Sequence, residues 1–358
     1  MNTPPENSTD LIPVDAEIIS SLLQKSIRRG ETSLAQFAAR RLLAQGGADV
    51  WRRLLVIAFE DVGIGAPDLL IEAVSIAADP NSRKRLGGNE ASAVHLADLL
   101  AAAPKDRSSD YLICAALFHP RLRSIRLALQ RAPLTDCLTV VEDAEWGLPE
   151  RAVAAWLGSG IPWLGERGEE GDLLALLDCY RQLGVPDGLV DAVGIAAHKT
   201  GEAITILVPL LWLATGGGSF HVHQSPVPPL QAAAGVPLYA LDLDTRLGRA
   251  AIARFALENR SVRAFLEANV RPLRWAEAVQ LAAFYVDGMP VAKRLDWPAS
   301  YELEVLGRQT CLSRAGVRRD AQEDLCAVIS ENLEHLNEIR AAELLASLKG
   351  KGWGGSHG

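Results

Sequence analysis

His221 and His223 are the first residues of this 358-residue chain whose spacing suggests chemistry. On an extended segment they would share one face and could grip one metal ion. Two imidazoles do not complete a zinc site. A third ligand would have to come from elsewhere, and His198, Asp242 and Asp244 are the nearest in sequence. Convergence of His221, His223, Asp242 and Asp244 would define a metal-dependent hydrolase or nuclease; the simpler reading leaves two loop histidines. Asp242 and Asp244 have D-x-D spacing, but they run into a helix that Asp244 or Thr245 would cap. Glu60 and Asp61 form the other carboxylate pair. They fall near an expected helix end, where the macrodipole disfavours anions. Each therefore needs a cationic partner or must cap the next helix. Arg53, seven residues earlier, shares their face. An arginine–carboxylate network within the domain is the first expectation, an intersubunit contact the second and a catalytic carboxylate pair the third.

Other reaction signatures are missing from the sequence. No GxxxxGK[ST] phosphate loop occurs, and Gly216-Gly217-Gly218-Ser219 lacks the lysine such a loop needs. There is no GxSxG elbow; Gly158-Ser159-Gly160 does not fit it. Five cysteines (Cys114, Cys137, Cys179, Cys311, Cys326) lie far apart with no CxxC spacing. In a reducing cytosol they read as small apolar core residues.

Charge is unevenly spread. Lys and Arg total 36 against 44 Asp and Glu, a net charge of −8, which does not fit a general polyanion binder. From Lys25 to Arg53 there are nevertheless seven basic residues against Glu31 and Asp49. From Arg246 to Arg274 seven arginines face Glu258 and Glu267. The stretch from Glu142 to Asp172 is acidic. Lys25, Arg28, Arg29, Arg52 and Arg53 are the candidate DNA-contacting residues. The plainer reading makes them solvated helix faces, with the first three favoured by the dipole near Gly30. The tryptophans at 146, 156, 163, 212, 275 and 297 could stack on bases, but their apolar surroundings point to core positions.

The elements carrying these residues read as helices. Apolar residues make up 49% of the chain and charged residues 22%, an ordinary globular balance. At about 100–200 residues per domain, two or three domains are expected. Ile19, Leu22, Leu23 and Ile27 recur at helical spacing after Asp15, a plausible cap, and Gly30 ends the run. Leu34, Phe37, Ala38 and Leu42 mark a second helix, stopped at Gly46-Gly47. Asp49 would cap a third, with Trp51, Leu54, Leu55 and Ala58 inside and Gly63 beyond its end. Pro67 suits the first turn of a fourth. Ile252, Phe255, Asn259, Val262 and Leu266 repeat at three and four, as do Leu325, Ile329, Leu333 and Leu336. Val236 to Leu241 is the one tempting strand, and a weak one. The apolar run Ala203–Ala214 is too short to span a bilayer and contains Pro209, so it reads as a buried helix. Thr215 to Pro229 is the clearest loop.

One stretch resembles a known family. Lys25-Ser26-Ile27-Arg28 is followed by Arg41-Leu42-Leu43 before a glycine turn and by Arg52-Arg53-Leu54. Then come Glu60-Asp61-Val62-Gly63, with Ala66-Pro67 just after, and Ala103-Pro104-Lys105 within Leu99–Tyr111. In order and spacing, from about residue 15 to 115, these pieces resemble the C-terminal helical region of the MgsA/RarA family. Those proteins are replication-associated recombination AAA+ ATPases related to clamp loaders. The resemblance implies a collar-like, oligomerising helical domain. The family places an ATPase module ahead of this region; here about 15 residues precede it, and without a phosphate loop ATP hydrolysis is not implied.

The expected architecture is all-α. It has a flexible tail at 1–14 and a collar-like domain at 15–118, followed by a second, solenoid-like helical part that begins with a helical region at 119–214. A Gly/Pro loop at 215–234, a helical domain at 235–348 and a second tail at 349–358 complete it. The expected function is that of a non-catalytic accessory protein of DNA replication, repair or genome defence. It would form a homo-oligomer and bind DNA or a separate AAA+ ATPase or other replication protein. A metal-dependent enzyme and a pure protein-interaction scaffold are the alternatives. No cofactor is expected, and without a signal peptide or membrane span the cytoplasm is the expected location.

Overall fold

The computed structural model describes residues 14–46, 49–218 and 220–351. Most of the two expected tails lies outside them, as do the Gly47 helix stop and the side chain of Asp49. The first helix, α1 (Ala16–Arg29), starts directly after Asp15 and buries Ile18, Ile19, Leu22, Leu23 and Ile27. Gly30, at φ +70°, ends it and donates its N–H to the Ile27 carbonyl at 3.1 Å. Next come α2 (Thr32–Gly46) and α3 (Asp49–Ile57), then a π-helical turn at Ala58–Val62 and a 3-10 turn at Gly63–Gly65. Pro67 opens α4 (Pro67–Ala78), where a missing N–H costs nothing.

The succession continues with α5 (Pro80–Arg85), α6 (Asn89–Ala102), α7 (Ser108–Phe118), α8 (Arg123–Leu129) and α9 (Leu134–Glu142). After these come α10 (Leu148–Ser159), α11 (Leu173–Gln182), α12 (Asp187–Thr200) and α13 (Leu207–Ala214). Three short strands, β1 (His221–Gln224), β2 (Ala232–Ala233) and β3 (Val236–Pro237), precede α14 (Arg246–Glu258), α15 (Arg260–Asn269) and α16 (Trp275–Ala283). The last elements are β4 (Lys293–Asp296), α17 (Ser300–Arg314), α18 (Gln322–Glu331) and α19 (Leu333–Gly350). With nineteen α-helices and four short strands among the described residues, the fold is predominantly α-helical, as expected. No helix among them is long and apolar enough to cross a membrane.

Several elements differ from the sequence reading for local reasons. The apolar run at 203–214 is helical only from Leu207, because Pro209 has no N–H to donate and so sits in the first turn. The run through Ile252 and Leu266 is two helices. Asn259 ends α14, and its side chain accepts from the Val262 N–H at 3.0 Å to cap α15. Thr215–Pro229 contributes β1. The tempting strand at Val236 is two residues long, paired with β2, before a 3-10 turn at Leu238–Ala240.

The chain divides into two compact units that alternate in sequence. One comprises Met1–Ser26, Pro226–Pro290 and Leu312–Gly358, the other Ile27–Ser225 and Val291–Cys311. In the first, α14 packs on α16 and α19 around a core that includes Ile252, Phe255, Val262, Leu266, Leu325 and Ile329. In the second, α2 lies on α6, and α10 packs against α7, α9 and α13. Trp156 of α10 is fully buried, and its Nε1 donates to the Ile161 carbonyl at 3.2 Å. In the same unit β1 and β4 pair antiparallel. Lys105 adds to the sheet, its N–H bonding the Lys293 carbonyl and its carbonyl accepting from Leu295 N–H.

Candidate functional site

The site is built where the turn after α3 meets the start of α7. The π-turn widens the helix at Ala58–Val62 and directs Asp61 into the interior, where it is fully buried. A buried carboxylate must be paired. Arg28, from the end of α1, approaches as a fork: its Nε donates to Asp61 Oδ1 at 2.7 Å and its Nη2 to Oδ2 at 3.3 Å. Arg107, just before α7, also donates to Asp61 Oδ1 through Nη1. The same Nη1 bonds Glu60 Oε1 at 3.1 Å, and Nη2 reaches Asp110 Oδ2 at 2.6 Å. Bidentate arginine pairs of this kind are strong and orientation-specific. Burial disfavours the Arg107 charge, but Asp61, Asp110 and Glu60 together overcome it and hold its pKa above the ordinary value. Burial also pushes the Asp110 carboxyl upward, against the pull of Arg107.

Two arginines against three carboxylates leave one negative charge. Lys105 is a further cation close enough to feel the Asp61 carboxylate. Burial pushes its pKa down to about 7, while the Asp61 carboxylate pulls the other way and Lys293 adds to the depression. Its Nζ folds back on the end of α6 and donates to the carbonyls of Ala101 at 3.1 Å and Ala103 at 2.5 Å. Lys293 Nζ takes the Ala102 carbonyl at 3.0 Å. Together they cap the negative pole of α6. The next residue, Asp106, accepts from the Ser108 N–H at 3.1 Å and from Trp297 Nε1 at 2.8 Å. Burial raises its pKa, and these donors pull it back. Lys105, Asp106, Arg107, Tyr111 and Arg294 line a small pocket beside the centre.

Glycine lets the two segments meet. The backbone of Val62 accepts from the Asp106 N–H at 3.1 Å. A Cβ on Gly65 would stand 2.6 Å from the Pro104 carbonyl oxygen. The Glu60-Asp61-Val62-Gly63 and Ala103-Pro104-Lys105 pieces, distant in sequence, are therefore neighbours, with Arg28 bound into the same centre. Chemically the arrangement is an ionic staple, because both oxygens of Asp61 are engaged by arginine.

The expected DNA-contacting cations behave differently from one another. Lys25, Arg28 and Arg29 are buried, which removes them from a solvated basic face. Lys25 forms a buried ion pair with Asp242 and lies 5.9 Å from the Phe284 ring centroid. Arg28 holds Asp61, and Arg29 Nε donates to Glu31 at 3.0 Å. The apolar stripe of α1 is broad enough to draw these polar neighbours inward, where each requires a carboxylate. Arg52 is half exposed, and donates to the Thr200 carbonyl at 2.9 Å and Glu202 at 2.7 Å. Arg53 is partly buried. For Glu60 and Asp61 the structure provides the intradomain network, with Arg28 and Arg107 as bonded partners.

Elsewhere, His221 and His223 do share an exposed face of β1, opposite Asp296 and Arg294. No group of three potential metal ligands occurs among the described residues. Asp242 is committed to Lys25, and Thr245 caps α14 by accepting from the Gly248 N–H at 3.1 Å. Arg107, Asp110 and Lys105 are the members of this centre to which the sequence reading gave no part in it. The only available signal was that a basic residue next to a proline-stopped helix must find an acceptor. Comparison with protein-family models, curated proteins and solved structures finds no match for this chain.

Proposed function

We propose that this chain is a non-catalytic α-helical accessory protein of DNA replication, repair or genome defence, acting by self-assembly and by binding a separate AAA+ ATPase. One observation carries the reading: Arg28, Glu60-Asp61-Val62-Gly63 and Ala103-Pro104-Lys105 meet at one buried ionic centre. The residues that resemble the collar-like region of replication-associated ATPases serve to fix helices against one another. That use of charge suits a rigid assembly module, and the resemblance supplies the genomic setting. DNA contact in this reading falls to Arg246–Arg274, whose seven arginines are all exposed.

The test is light scattering coupled to size exclusion, with and without a short forked DNA, at low and moderate salt. The expected result is a multimer whose DNA complex weakens as salt rises. Arg260→Glu with Arg271→Glu lowers DNA affinity and reduces the salt slope by about 2, with the multimer intact. A monomer that binds neither forked DNA nor an AAA+ ATPase overturns the proposal.

A further inference from the structure

Cys114 on α7 and Cys311 on α17 are remote in sequence and adjacent in the fold. The approach is made at Gly307 of α17, where a Cβ would stand 2.8 Å from the Cβ of Tyr111 on α7. Cys311 is one helical turn beyond Gly307, and Cys114 is one turn beyond Tyr111. The two thiols lie within hydrogen-bonding reach of each other, close to the Gly307–Tyr111 approach. Neither cysteine is part of a disulfide, and both residues are only partly buried. The buried Cys137 and Cys179 face oxygens instead, the Leu129 carbonyl at 3.8 Å and Glu142 Oε1 at 3.7 Å.

We propose that Cys114 and Cys311 form a reversible dithiol–disulfide clasp that ties α17 to α7. The oxidant is a low-molecular-weight disulfide. The Cys311 thiolate attacks one sulfur of that disulfide, forming a mixed disulfide and releasing one small thiol. Cys114 then loses its proton to solvent and attacks the Cys311 sulfur, expelling the second small thiol. Two cysteine thiols and one small disulfide thus become one protein disulfide and two small thiols. The order of attack follows from the surroundings: the Cys311 thiol, burial and Asp110 all hold Cys114 in its protonated form. The clasp also sits at a defined place in the chain. Cys311 is the last residue of its unit, and Leu312 belongs to the other. Oxidation would pin α17 to α7 within the unit that Cys311 ends.

The experiment exposes the full-length protein to oxidised glutathione, alkylates the remaining thiols under denaturing conditions and maps the peptides by mass spectrometry. The expected product is one cross-linked peptide pair joining Cys114 and Cys311. It has lost two hydrogens, is restored by dithiothreitol, and leaves Cys137, Cys179 and Cys326 alkylated. In Cys114→Ser the glutathione adduct accumulates on Cys311, because nothing displaces it. Alkylation of both Cys114 and Cys311 in the treated wild-type protein overturns the proposal. So does a persistent glutathione adduct on either, or a cross-link to another cysteine. The peptide map of the unsubstituted protein decides the matter even where the serine variant does not fold.

Discussion

Gly63 and Asp106 approach so closely that a Cβ on Gly63 would fall 2.7 Å from the Asp106 carbonyl oxygen. The glycine also sits at φ +49°, a conformation that side-chain-bearing residues rarely adopt. The obstructing atom is backbone, so it cannot turn aside. Gly63→Ala is expected to destabilise the fold by about 1–3 kcal/mol from backbone strain alone. Gly46→Ala, with open space around its Cβ position, is expected to be neutral or stabilising. Urea midpoints of the two variants at unchanged slope make the comparison. Equal midpoints would mean that the Gly63 turn does not set the spacing of the ionic centre.

Asp61 is the carboxylate on which two buried arginines converge. Asp61→Asn keeps its shape and removes its charge, leaving Arg28 and Arg107 with too few anions. A loss of about 3–5 kcal/mol is expected, the usual cost of breaking a buried pair from one side. Glu60 lies at the rim with its side chain 16% exposed, so Glu60→Gln is expected to cost about 1 kcal/mol or less. Denaturant titration separates the two cases; a Glu60 variant as damaging as the Asp61 variant would place the weight of the network at its rim.

Stability should depend on pH through Lys105. In the fold, burial lowers its pKa to about 7, against an ordinary value of 10.5. Between those limits the unfolded chain binds more protons than the folded one. The Lys105 contribution therefore becomes more favourable as pH is raised from about 7 towards 10.5, and levels off at its least favourable below about 7, where both states hold the proton. Lys105→Met removes the titration. The difference between wild-type and variant midpoints, followed from pH 7 to 10, should grow in favour of the wild type. A flat difference would show that the cap on α6 keeps Lys105 fully protonated.

Much of the helical framework was legible from periodicity and local stop signals. Gly30, Pro67 and Thr245 sit where their backbone chemistry requires, and Ile19, Leu22, Leu23 and Ile27 are core residues of α1. The charged residues were less legible. Helical spacing says which residues share a face, but not which distant segment covers it. Lys25, Arg28 and Arg29 have the same local pattern as solvated cations. Their burial is decided by Asp242, Asp61 and Glu31, and two of those carboxylates lie far along the chain. The π-turn at Ala58–Val62 was also hidden, because one extra residue in a helical turn leaves no separate mark in an apolar pattern. Cys114 and Cys311 were invisible as a pair for the same reason that Asp61 and Arg107 were.

The alternation of the two units governs the order in which the protein can mature during synthesis. Lys25 emerges early, while Asp242, its buried carboxylate in the same unit, is made more than two hundred residues later. At about 5–20 residues per second the nascent lysine waits roughly ten to forty seconds for its counter-ion. Throughout that interval α1 carries an apolar face whose own unit does not yet exist. The unit containing Asp61 receives its last residue, Cys311, before the first unit receives its closing helices, α18 and α19. The unit that starts the chain is therefore the one that finishes folding last, and its first helix is the segment that a ribosome-associated chaperone would have most reason to shield.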